Sequence, residues 1–385
     1  MIGTTLDNAK AMKQHPRTCA PGFQLFAFWQ ALCLFFCFFF IGLPSFAQPM
    51  GAEQDMFTYR VQPNDTLSDL AELYTLNRNN WQVLQSLNQI EDPRRLPIGK
   101  TLNIPFSLIP VHPTTAALTH IQGRVLLNDQ PATLQSSIQA GDRIQTGQNS
   151  FATVRLNDQS SLSIPENTQI LFQQINEFQG TPIADVIFML EEGTVETNAD
   201  PEQRGVGRYE IHTPISITGV RGTKMRVRAD AHTTRTELID GRAHIQGSTL
   251  TPKMLNPRQG AALDTEGNVF ITNLLEAPRI QESTRSPGHL QVSLTPVDGA
   301  SHYIALIAAD PDGQQIIGQQ SSTEPNLSLA AVQAGTHYAF IRAVDANGFM
   351  GLDTMIDFPG HRVLLDRSGQ PIRTRFGHVV LSGLP

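Results

Sequence analysis

Cysteine is scarce in this chain of 385 residues, and its three copies, Cys19, Cys33 and Cys37, all lie within the first 47 residues. Residues 48–385 therefore contain no thiol. This absence excludes a disulfide framework, a cysteine nucleophile and a cysteine-ligated metal from most of the chain.

Recognised catalytic and metal-binding motifs are also missing. The sequence has no His-x-x-x-His or Cys-x-x-Cys pair and no Gly-x-Ser-x-Gly nucleophile elbow. Glu191 and Glu192 would point to opposite faces of a strand and so cannot converge on one glycosidic bond; their position before Gly193 predicts a turn. The histidines occur singly, which is typical of surface or structural residues: His120, His212, His232, His244, His302 and His337. We therefore predict a protein that is not an enzyme and has no cofactor or metal site.

The charge balance is mildly acidic, with a formal net charge of −7. The first 47 residues carry a net +2 from Lys10, Lys13, Arg17 and Asp7, so the rest of the chain carries −9. A nucleic-acid binder normally shows a basic footprint. We therefore expect no nucleic-acid partner.

The only long apolar run extends from Phe23 to Phe46 without a charge, and three basic residues precede it. Ser45-Phe46-Ala47 places small residues at the minus-three and minus-one positions of a cleavage site. Residues 1–47 are therefore predicted to be a secretory signal peptide. The alternative is an uncleaved membrane anchor, because the run is long enough to span a bilayer. Either interpretation predicts export.

Residues 57–105 carry the pattern of a strand, two helices and a strand. Tyr59 and Val61 alternate on one strand, and Leu102 and Ile104 alternate on another. The first helix is predicted after Thr66, its N-cap, with Asp69 three residues later. A second helix is predicted with Asn79 or Asn80 as its cap. One face of this helix is shared by Trp81, Leu84 and Leu87 or Asn88.

This segment resembles the LysM module, most clearly in the stretches Tyr59 to Leu67 and Leu96 to Pro105. The resemblance implies a small βααβ domain that binds N-acetylglucosamine-containing glycans such as peptidoglycan in a groove between two loops. Apolar side chains such as Leu67 and Ile90 would pack against the sugar. Asn64 stands where the family usually has Gly, and Asn tolerates the left-handed backbone that such a turn needs. The glycan-binding residues implied by the resemblance are Asn64, Asp65, Thr66, Leu67, Asn88, Gln89 and Ile90. The alternative is a module kept for its fold alone.

Residues 106–117 are predicted to be a linker to which Leu108, Ile109 and Val111 could add a short strand. Short alternating segments separated by turn residues then occupy 118–263. Among the turn signals are Asn128-Asp129, Asn157-Asp158 and Asp240-Gly241. Spacing of this kind is typical of an all-β sandwich or a short solenoid.

Residues 118–263 resemble the FecR domain. The stretches that carry the resemblance are Gly141 to Gly147, Ala152 to Asp158, Leu190 to Val195 and, most specifically, Thr213 to Val227. The family is named for periplasmic sensors that carry a folded cytoplasmic segment ahead of a membrane helix. Here only 22 residues precede the apolar run, too few to bury a core. The resemblance therefore implies an interaction or structural module.

The FecR-like segment contains two local features of interest. The glycines in Gly219 to Thr223 predict a bend or bulge in a strand, because the segment lacks the Lys-Ser/Thr ending of a phosphate loop. Lys224, Arg226 and Arg228 alternate on one strand face, where they could meet an anionic partner; a solvated charged face is the commoner outcome.

Residues 277–358 again show strand-like runs, separated by turn signals such as Asp298-Gly299 and Asn347-Gly348. They resemble a fibronectin type III or similar sandwich, although its landmark tryptophans are missing. Asp345 to Gly348 is predicted to be a hairpin turn and not a calcium loop, since no acidic ligands follow. The tail, residues 359–385, would add a hairpin around Arg367 to Gln370 or be mobile.

The predicted fold is mainly β and multidomain: a small α+β LysM module, an all-β FecR-like domain, then a β-sandwich. We expect a non-catalytic protein of the periplasm or cell envelope that binds peptidoglycan and presents its FecR-like domain to another envelope protein. The alternative is a membrane-anchored periplasmic sensor or regulator that transmits a signal. Membrane contact is expected only if the leader is uncleaved.

Overall fold

The computed structural model of the protein describes residues 51–53, 55–199, 207–247, 252–286, 289–330, 333–362, 364, 366, 372–378 and 380. The predicted leader, residues 1–47, lies outside these ranges. Within them, no helix is long and apolar enough to cross a membrane. The architecture is mainly β with a small α/β unit at its start, as the sequence predicted.

The first unit has three antiparallel strands and two helices. Its elements are β1 (Gly51–Glu53), β2 (Met56–Arg60), α1 (Leu67–Thr75), a 3-10 turn (Arg78–Asn80), α2 (Trp81–Leu87) and β3 (Thr101–Pro105). The sheet order is β1-β2-β3, so the predicted βααβ order is confirmed and one more edge strand precedes it. Its core is built from Phe57, Tyr59, Leu70, Leu84 and Ile104, because the alternating strand residues and one face of each helix point inward.

Helix α1 begins as predicted at Thr66. The Thr66 hydroxyl oxygen accepts a hydrogen bond from the Asp69 amide at 3.1 Å and donates one to the Asp69 carboxylate at 2.7 Å. Asn80, one of the two predicted caps, occupies the N-cap position of α2 but makes no side-chain cap bond. Asn77 caps the preceding 3-10 turn by accepting from the Asn79 amide at 3.1 Å, which the sequence did not predict.

A 16-stranded sheet follows. Its strands are β4 (Val111–Pro113), β5 (Ala116–Gln122), β6 (Val125–Leu127), β7 (Gln130–Pro131), β8 (Ser137–Ile138), β9 (Arg143–Thr146), β10 (Phe151–Arg155), β11 (Ser161–Ile164), β12 (Gln169–Phe178), β13 (Ala184–Asn198), β14 (Tyr209–His212), β15 (Ser216–Ala229), β16 (Thr233–Gly247), β17 (Lys253–Leu255), β18 (Gln259–Asp264) and β19 (Val269–Asn273). The main path runs β19-β18-β16-β15-β14-β13-β11-β10-β5-β8, and the sheet encloses one apolar core. Only the β13–β14 pair among the described strands is parallel.

The long strands of this sheet pass through positions where turns were predicted. Glu191, Glu192 and Gly193 lie inside β13, and Asp240-Gly241 lies inside β16. Both turn predictions are wrong, because Gly193 and Gly241 take positive φ values of 98° and 88° within continuous strands. The predicted bulge in β15 is confirmed by a register shift between Arg221 and Lys224.

Residues 106–117, predicted to be a linker, pack against the sheet. A 3-10 turn spans Phe106–Leu108, and β4 pairs with β12. The ring of Phe106 lies 4.4 Å from the ring of Phe178 between centroids. Tyr74 of the first unit borders Gly180, where an added Cβ would lie 3.4 Å from its ring. The first unit is therefore in contact with the β12–β13 connection.

The C-terminal unit has two antiparallel sheets. One has the order β20-β21-β24 and the other β23-β22-β25-β26, with strands β20 (Ile280–Ser286), β21 (His289–Leu294), β22 (Ala300–Ala308), β23 (Ile316–Ser322), β24 (Asn326–Ala330), β25 (Gly335–Asp345) and β26 (Thr354–Gly360). Both sheets contribute to one apolar cluster that includes Val292, Leu329 and Ile341. The fibronectin type III assignment stays a prediction. The hairpin predicted around Arg367 to Gln370 lies outside the described residues.

Candidate functional site

The loop after β2 contains the first set of implied glycan-binding residues. Asn64 is exposed and has a φ of 75°. It therefore adopts the left-handed backbone conformation that was expected at this position. Asp65 accepts hydrogen bonds from the Tyr59 hydroxyl at 2.8 Å and the Gln62 amide at 2.6 Å. The Asp65 side chain therefore shapes the loop and is committed to contacts within it.

The two tyrosines behind this loop stay neutral. Burial raises the pKa of Tyr74 to about 12, and the nearby Asp65 charge adds to the effect. Burial also raises the pKa of Tyr59, and the hydrogen bond from Tyr59 to Asp65 raises it further. The Tyr59 hydroxyl is thus a permanent donor to Asp65 at physiological pH.

The loop after α2 contains the second set. The Asn88 side chain is 8% exposed. Its amide nitrogen donates to the carbonyls of Leu84 and Asn103, both at 2.9 Å, and its oxygen accepts from the Asn103 amide at 2.7 Å. Asn88 therefore fixes the end of α2 to β3. The neighbouring Gln89 is exposed with a φ of 53°.

Lys100 connects the end of β2 to the loop after α2, and the sequence did not indicate this role. Its carbonyl accepts a hydrogen bond from the Val61 amide at 3.0 Å, while its ammonium donates to the Asn88 carbonyl at 2.9 Å. The adjacent Ile98 is 68% exposed, although it is a large apolar residue. The Pro-Ile-Gly-Lys sequence indicates a turn in a structured loop. It does not indicate that the lysine contacts the residue after α2.

The structure thus separates the seven implied residues by role. Leu67 and Ile90 are buried in the core of the unit, which leaves little of either side chain to contact a sugar. Asp65, Thr66 and Asn88 hold the loops in shape. Asn64, Thr66 and Gln89 are exposed to solvent, and so is Ile98 in the turn before Lys100.

The residues predicted to form a cationic face on β15 also differ in their exposure to solvent. Lys224 is exposed, but Arg226 is only 1% exposed, so the expectation of a solvated face is wrong for Arg226. Its guanidinium donates to the Asp353 carboxylate, to the Gly351 carbonyl at 2.8 Å and to the Met350 carbonyl at 3.4 Å. These three hydrogen-bond acceptors of Arg226 belong to the C-terminal unit of the same chain.

Arg226 belongs to a buried cluster of four charges. Arg342 on β25 donates to Glu196 at 2.5 Å and to Asp353 at 2.7 Å, and Arg226 lies 3.6 Å from Glu196. Burial alone would raise the pKa of Glu196 and of Asp353, but the two guanidiniums outweigh it and hold both pKa values below their usual range. Two cations and two anions therefore neutralise each other at the interface.

Glu237 lies next to this cluster and is fully buried. Its Oε1 accepts from the Met350 amide at 3.2 Å and lies 3.7 Å from the Arg228 guanidinium. Its Oε2 has no hydrogen-bond partner within the part of the chain that the structure describes. Burial raises the pKa of Glu237 despite the attraction of Arg228 and Arg226.

The loop between β25 and β26 is held by three arginines of the large sheet. In addition to Arg226, Arg228 donates to the Gly348 carbonyl, and Arg235 donates to the Asn347 carbonyl at 2.9 Å. Phe349, in the middle of the loop, packs over Gly260, where an added Cβ would lie 2.7 Å from its ring. Backbone recognition of this kind leaves no residue pattern in the loop sequence.

A second contact joins the same two units at another place. Phe151 of β10 packs in one apolar cluster with Leu306, Ile316 and Phe340. His120 Nε2 lies 2.7 Å from the Ile316 carbonyl oxygen, within hydrogen-bond distance. The interface therefore combines an apolar part with a charged part.

No group of three or more histidine, cysteine, aspartate or glutamate residues capable of holding a metal occurs among the described residues. The arrangement of side chains on these surfaces is suited to binding. It provides hydrogen-bonding loops and charged contacts.

Comparison with known proteins identifies two segments. Residues 59–105 match the family model for the LysM domain, and residues 142–244 match the model for FecR protein. A search of the curated proteins finds no match. Both matched families are binding or regulatory families without catalytic activity.

Two solved structures resemble part of the chain. Both are described as a "putative anti-sigma factor from Parabacteroides distasonis ATCC 8503", at 1.65 Å and 2.50 Å, with 16% and 14% identity. Each match covers 34% of this chain and 59% of the other, with a TM-score of 0.28. This chain thus contains a LysM domain followed, after the segment described above, by a FecR domain.

Proposed function

We propose that this protein is a non-catalytic component of the cell envelope that binds peptidoglycan through its LysM domain. Its FecR domain and C-terminal unit would together present a surface to another envelope protein. The observation that carries the proposal is that Lys100 joins Val61, at the end of β2 and ahead of the Asn64 to Leu67 loop, to the Asn88 carbonyl at the start of the second loop.

The composition of the two loops supports glycan binding. Structural side chains such as Asp65 and Asn88 fix the backbone, so its amides and carbonyls can meet a sugar without further ordering. Ile98 adds an exposed apolar surface beside them. An N-acetyl sugar presents an amide that can form hydrogen bonds and a methyl group that packs against apolar side chains.

The location follows from the leader. The basic residues, apolar run and Ser45-Phe46-Ala47 site direct the chain to the compartment where peptidoglycan lies. Absence of cysteine from residues 48–385 is compatible with that compartment, because no thiol needs protection from oxidation.

The test is co-sedimentation of purified residues 48–385, which form one compact unit, with insoluble peptidoglycan sacculi. The informative variant is Ile98→Asp, which changes an exposed side chain beside the loops. The matched control is Val83→Asp, because Val83 is also an exposed aliphatic residue of the LysM domain but lies on α2.

We expect the wild-type protein and Val83→Asp to sediment with sacculi. The affinity of Ile98→Asp for sacculi is expected to be lower by a factor of about ten, so this variant remains in solution. Equal retention of all three proteins would place the glycan contact elsewhere. A failure of the wild-type protein to sediment would contradict peptidoglycan binding and leave the domain as a scaffold.

A membrane-anchored sensor is the second candidate, favoured by the uncharged run from Phe23 to Phe46. N-terminal sequencing of the protein isolated from its host distinguishes the two. A mature N-terminus near Gln48 supports the exported tether, whereas an intact leader in the membrane fraction supports the sensor.

A further inference from the structure

A short hairpin, residues 372–378 and here called the tip hairpin, is exposed to solvent at every position. The Gly377 amide donates to the Thr374 carbonyl at 2.9 Å, which closes a β-turn. Arg375 and Phe376 occupy the two central positions of this turn. A β-turn directs its central side chains away from the strands that it joins, so an arginine and a phenylalanine form the end of the hairpin.

The backbone of the tip hairpin is already ordered. The Thr374 amide donates to the His378 carbonyl at 2.7 Å, and the Thr374 hydroxyl accepts from the His378 amide at 3.2 Å. At the base of the hairpin, the Ile372 amide donates to the Leu364 carbonyl at 2.8 Å, and the Ile372 carbonyl accepts from the Val380 amide at 2.9 Å. A partner that binds the tip therefore meets a formed turn and does not have to order it.

The segment that contains the tip hairpin is basic, whereas the rest of the chain after the leader is acidic. Residues 361–385 contain four arginines and one aspartate, a formal charge of +3, so residues 48–360 carry −12. Arg373 donates to the Gly377 carbonyl at 3.0 Å, and Arg375 Cζ lies 5.7 Å from the centroid of the Phe376 ring. Within the described chain neither arginine forms an ion pair, so both guanidiniums can bind an anion.

The tip hairpin also carries exposed apolar surface. Phe376 is 80% exposed, more than any other large apolar side chain of the described residues, and Ile372 and Leu364 at the base are exposed as well. Binding to an acidic protein would bury Phe376 only if that protein had a matching pocket. The headgroup region of a bilayer accepts an aromatic ring without such a pocket and places lipid phosphates beside neighbouring cations.

We propose that the tip hairpin docks on the surface of a membrane that contains anionic phospholipids. Phe376 enters the headgroup region, and Arg373 and Arg375 bind lipid phosphates beside it. An anionic surface repels the acidic part of the chain, but charges farther apart than a Debye length of about 8 Å are largely screened at physiological salt. The local charge of the hairpin therefore decides the contact, which requires neither the leader nor glycan binding.

The test is flotation of residues 48–385 with unilamellar vesicles, over a series of lipid concentrations. One set of vesicles is phosphatidylcholine alone, and the other contains equal amounts of phosphatidylcholine and phosphatidylglycerol. We expect the partition coefficient to be at least about tenfold higher for the anionic vesicles, because each arginine near such a surface contributes about fivefold. Raising the salt concentration should reduce this difference, since it screens the attraction.

Two variants localise the effect to the tip hairpin. Phe376→Ala removes the inserted ring and Arg375→Gln removes one charge, and each is expected to lower the partition coefficient about fivefold. The matched controls are Leu134→Ala and Arg242→Gln, which change an exposed apolar residue and an exposed arginine of the FecR sheet. Both controls should partition like wild type. Urea unfolding of each variant reports whether its fold is intact.

The proposal is overturned if the protein does not float with either set of vesicles or partitions equally onto both. Equal losses in the hairpin variants and in their controls would also overturn it. Sedimentation equilibrium without lipid tests another occupant: self-association that Arg375→Gln abolishes, without vesicle binding, would assign the hairpin to the acidic surface of a second copy. Sacculus binding by the same preparation is measured separately, so failure here does not affect the LysM proposal.

Discussion

Arg226 and Asp353 are 127 positions apart in sequence and form an ion pair between the FecR sheet and the loop that precedes β26. Both side chains are largely buried, and Arg342 and Glu196 complete the contact. Each guanidinium touches both carboxylates. The cluster makes the FecR domain and the C-terminal unit parts of one interface.

The first prediction is that Arg226→Met destabilises the protein by about 3–5 kcal/mol, because it leaves Glu196 and Asp353 buried with one guanidinium between them. The free energy of unfolding from urea titration measures the effect. The control is Arg258→Met, which breaks the exposed pair with Glu276 and should cost less than about 1 kcal/mol. Similar losses in the two variants would show that the buried cluster contributes no more than a surface pair.

The second prediction concerns the pH dependence that Glu237 introduces. Burial raises its pKa in the folded protein above the ordinary value of 4.5. The folded state therefore retains a proton that the unfolded state has released, and the contribution of Glu237 to stability falls as pH rises from 4.5 through the raised pKa. Below that window the contribution is complete.

Glu237→Gln keeps an acceptor for the Met350 amide and cannot ionise. We expect this variant to be more stable than wild type at about pH 7.5, and the difference to shrink towards about pH 5. Urea unfolding of both proteins is measured at the two pH values. The titration of all other groups then cancels in the difference between the two unfolding free energies. A difference that does not change with pH would mean that Glu237 is ionised in the folded state and stabilised by Arg228, Arg226 and Arg342.

The third prediction is that Phe349→Ala costs about 3–5 kcal/mol of unfolding free energy, because it leaves a cavity over Gly260. Phe349 is 1% exposed and its ring centroid lies 6.2 Å from that of Phe270. Phe376→Ala is the matched control, since Phe376 is 80% exposed and should tolerate the change. A small loss for Phe349→Ala would indicate that the loop between β25 and β26 is only loosely attached.

Local patterns predicted much of the fold. Alternation of Tyr59 with Val61 and the Thr66 to Asp69 cap are properties of neighbouring residues, and the structure has both the strand and the cap. The same reasoning failed at Gly193 and Gly241. A glycine with positive φ serves a turn and a bulge equally well, and only the pairing partners of β13 and β16 decide between them.

The interface could not be predicted in this way. Arg226 alternates on its strand as a surface residue would, and its burial depends on Asp353 and Gly351, which lie far along the chain. Lys100 is similar, because its role depends on the distance to the Asn88 carbonyl. The sequence indicated the two LysM loops but not which of their side chains hold the fold.

The last prediction separates those two roles within the LysM domain. Asn88→Ala removes two hydrogen bonds that join the end of α2 to β3 and a third to the Leu84 carbonyl, and it leaves backbone groups of Asn103 without their partner. Loss of buried hydrogen bonds should cost about 2–4 kcal/mol. Ile98→Asp changes an exposed side chain and should leave stability within about 0.5 kcal/mol of wild type.

Both variants are expected to lose sacculus binding, but for different reasons. Raising the concentration of a stabilising osmolyte should restore binding to Asn88→Ala, because its loops re-form when the domain folds. It should not restore binding to Ile98→Asp, whose loops are already formed. Recovery of both variants would mean that Ile98 also acts through stability, and recovery of neither would mean that the Asn88 side chain itself contacts the glycan.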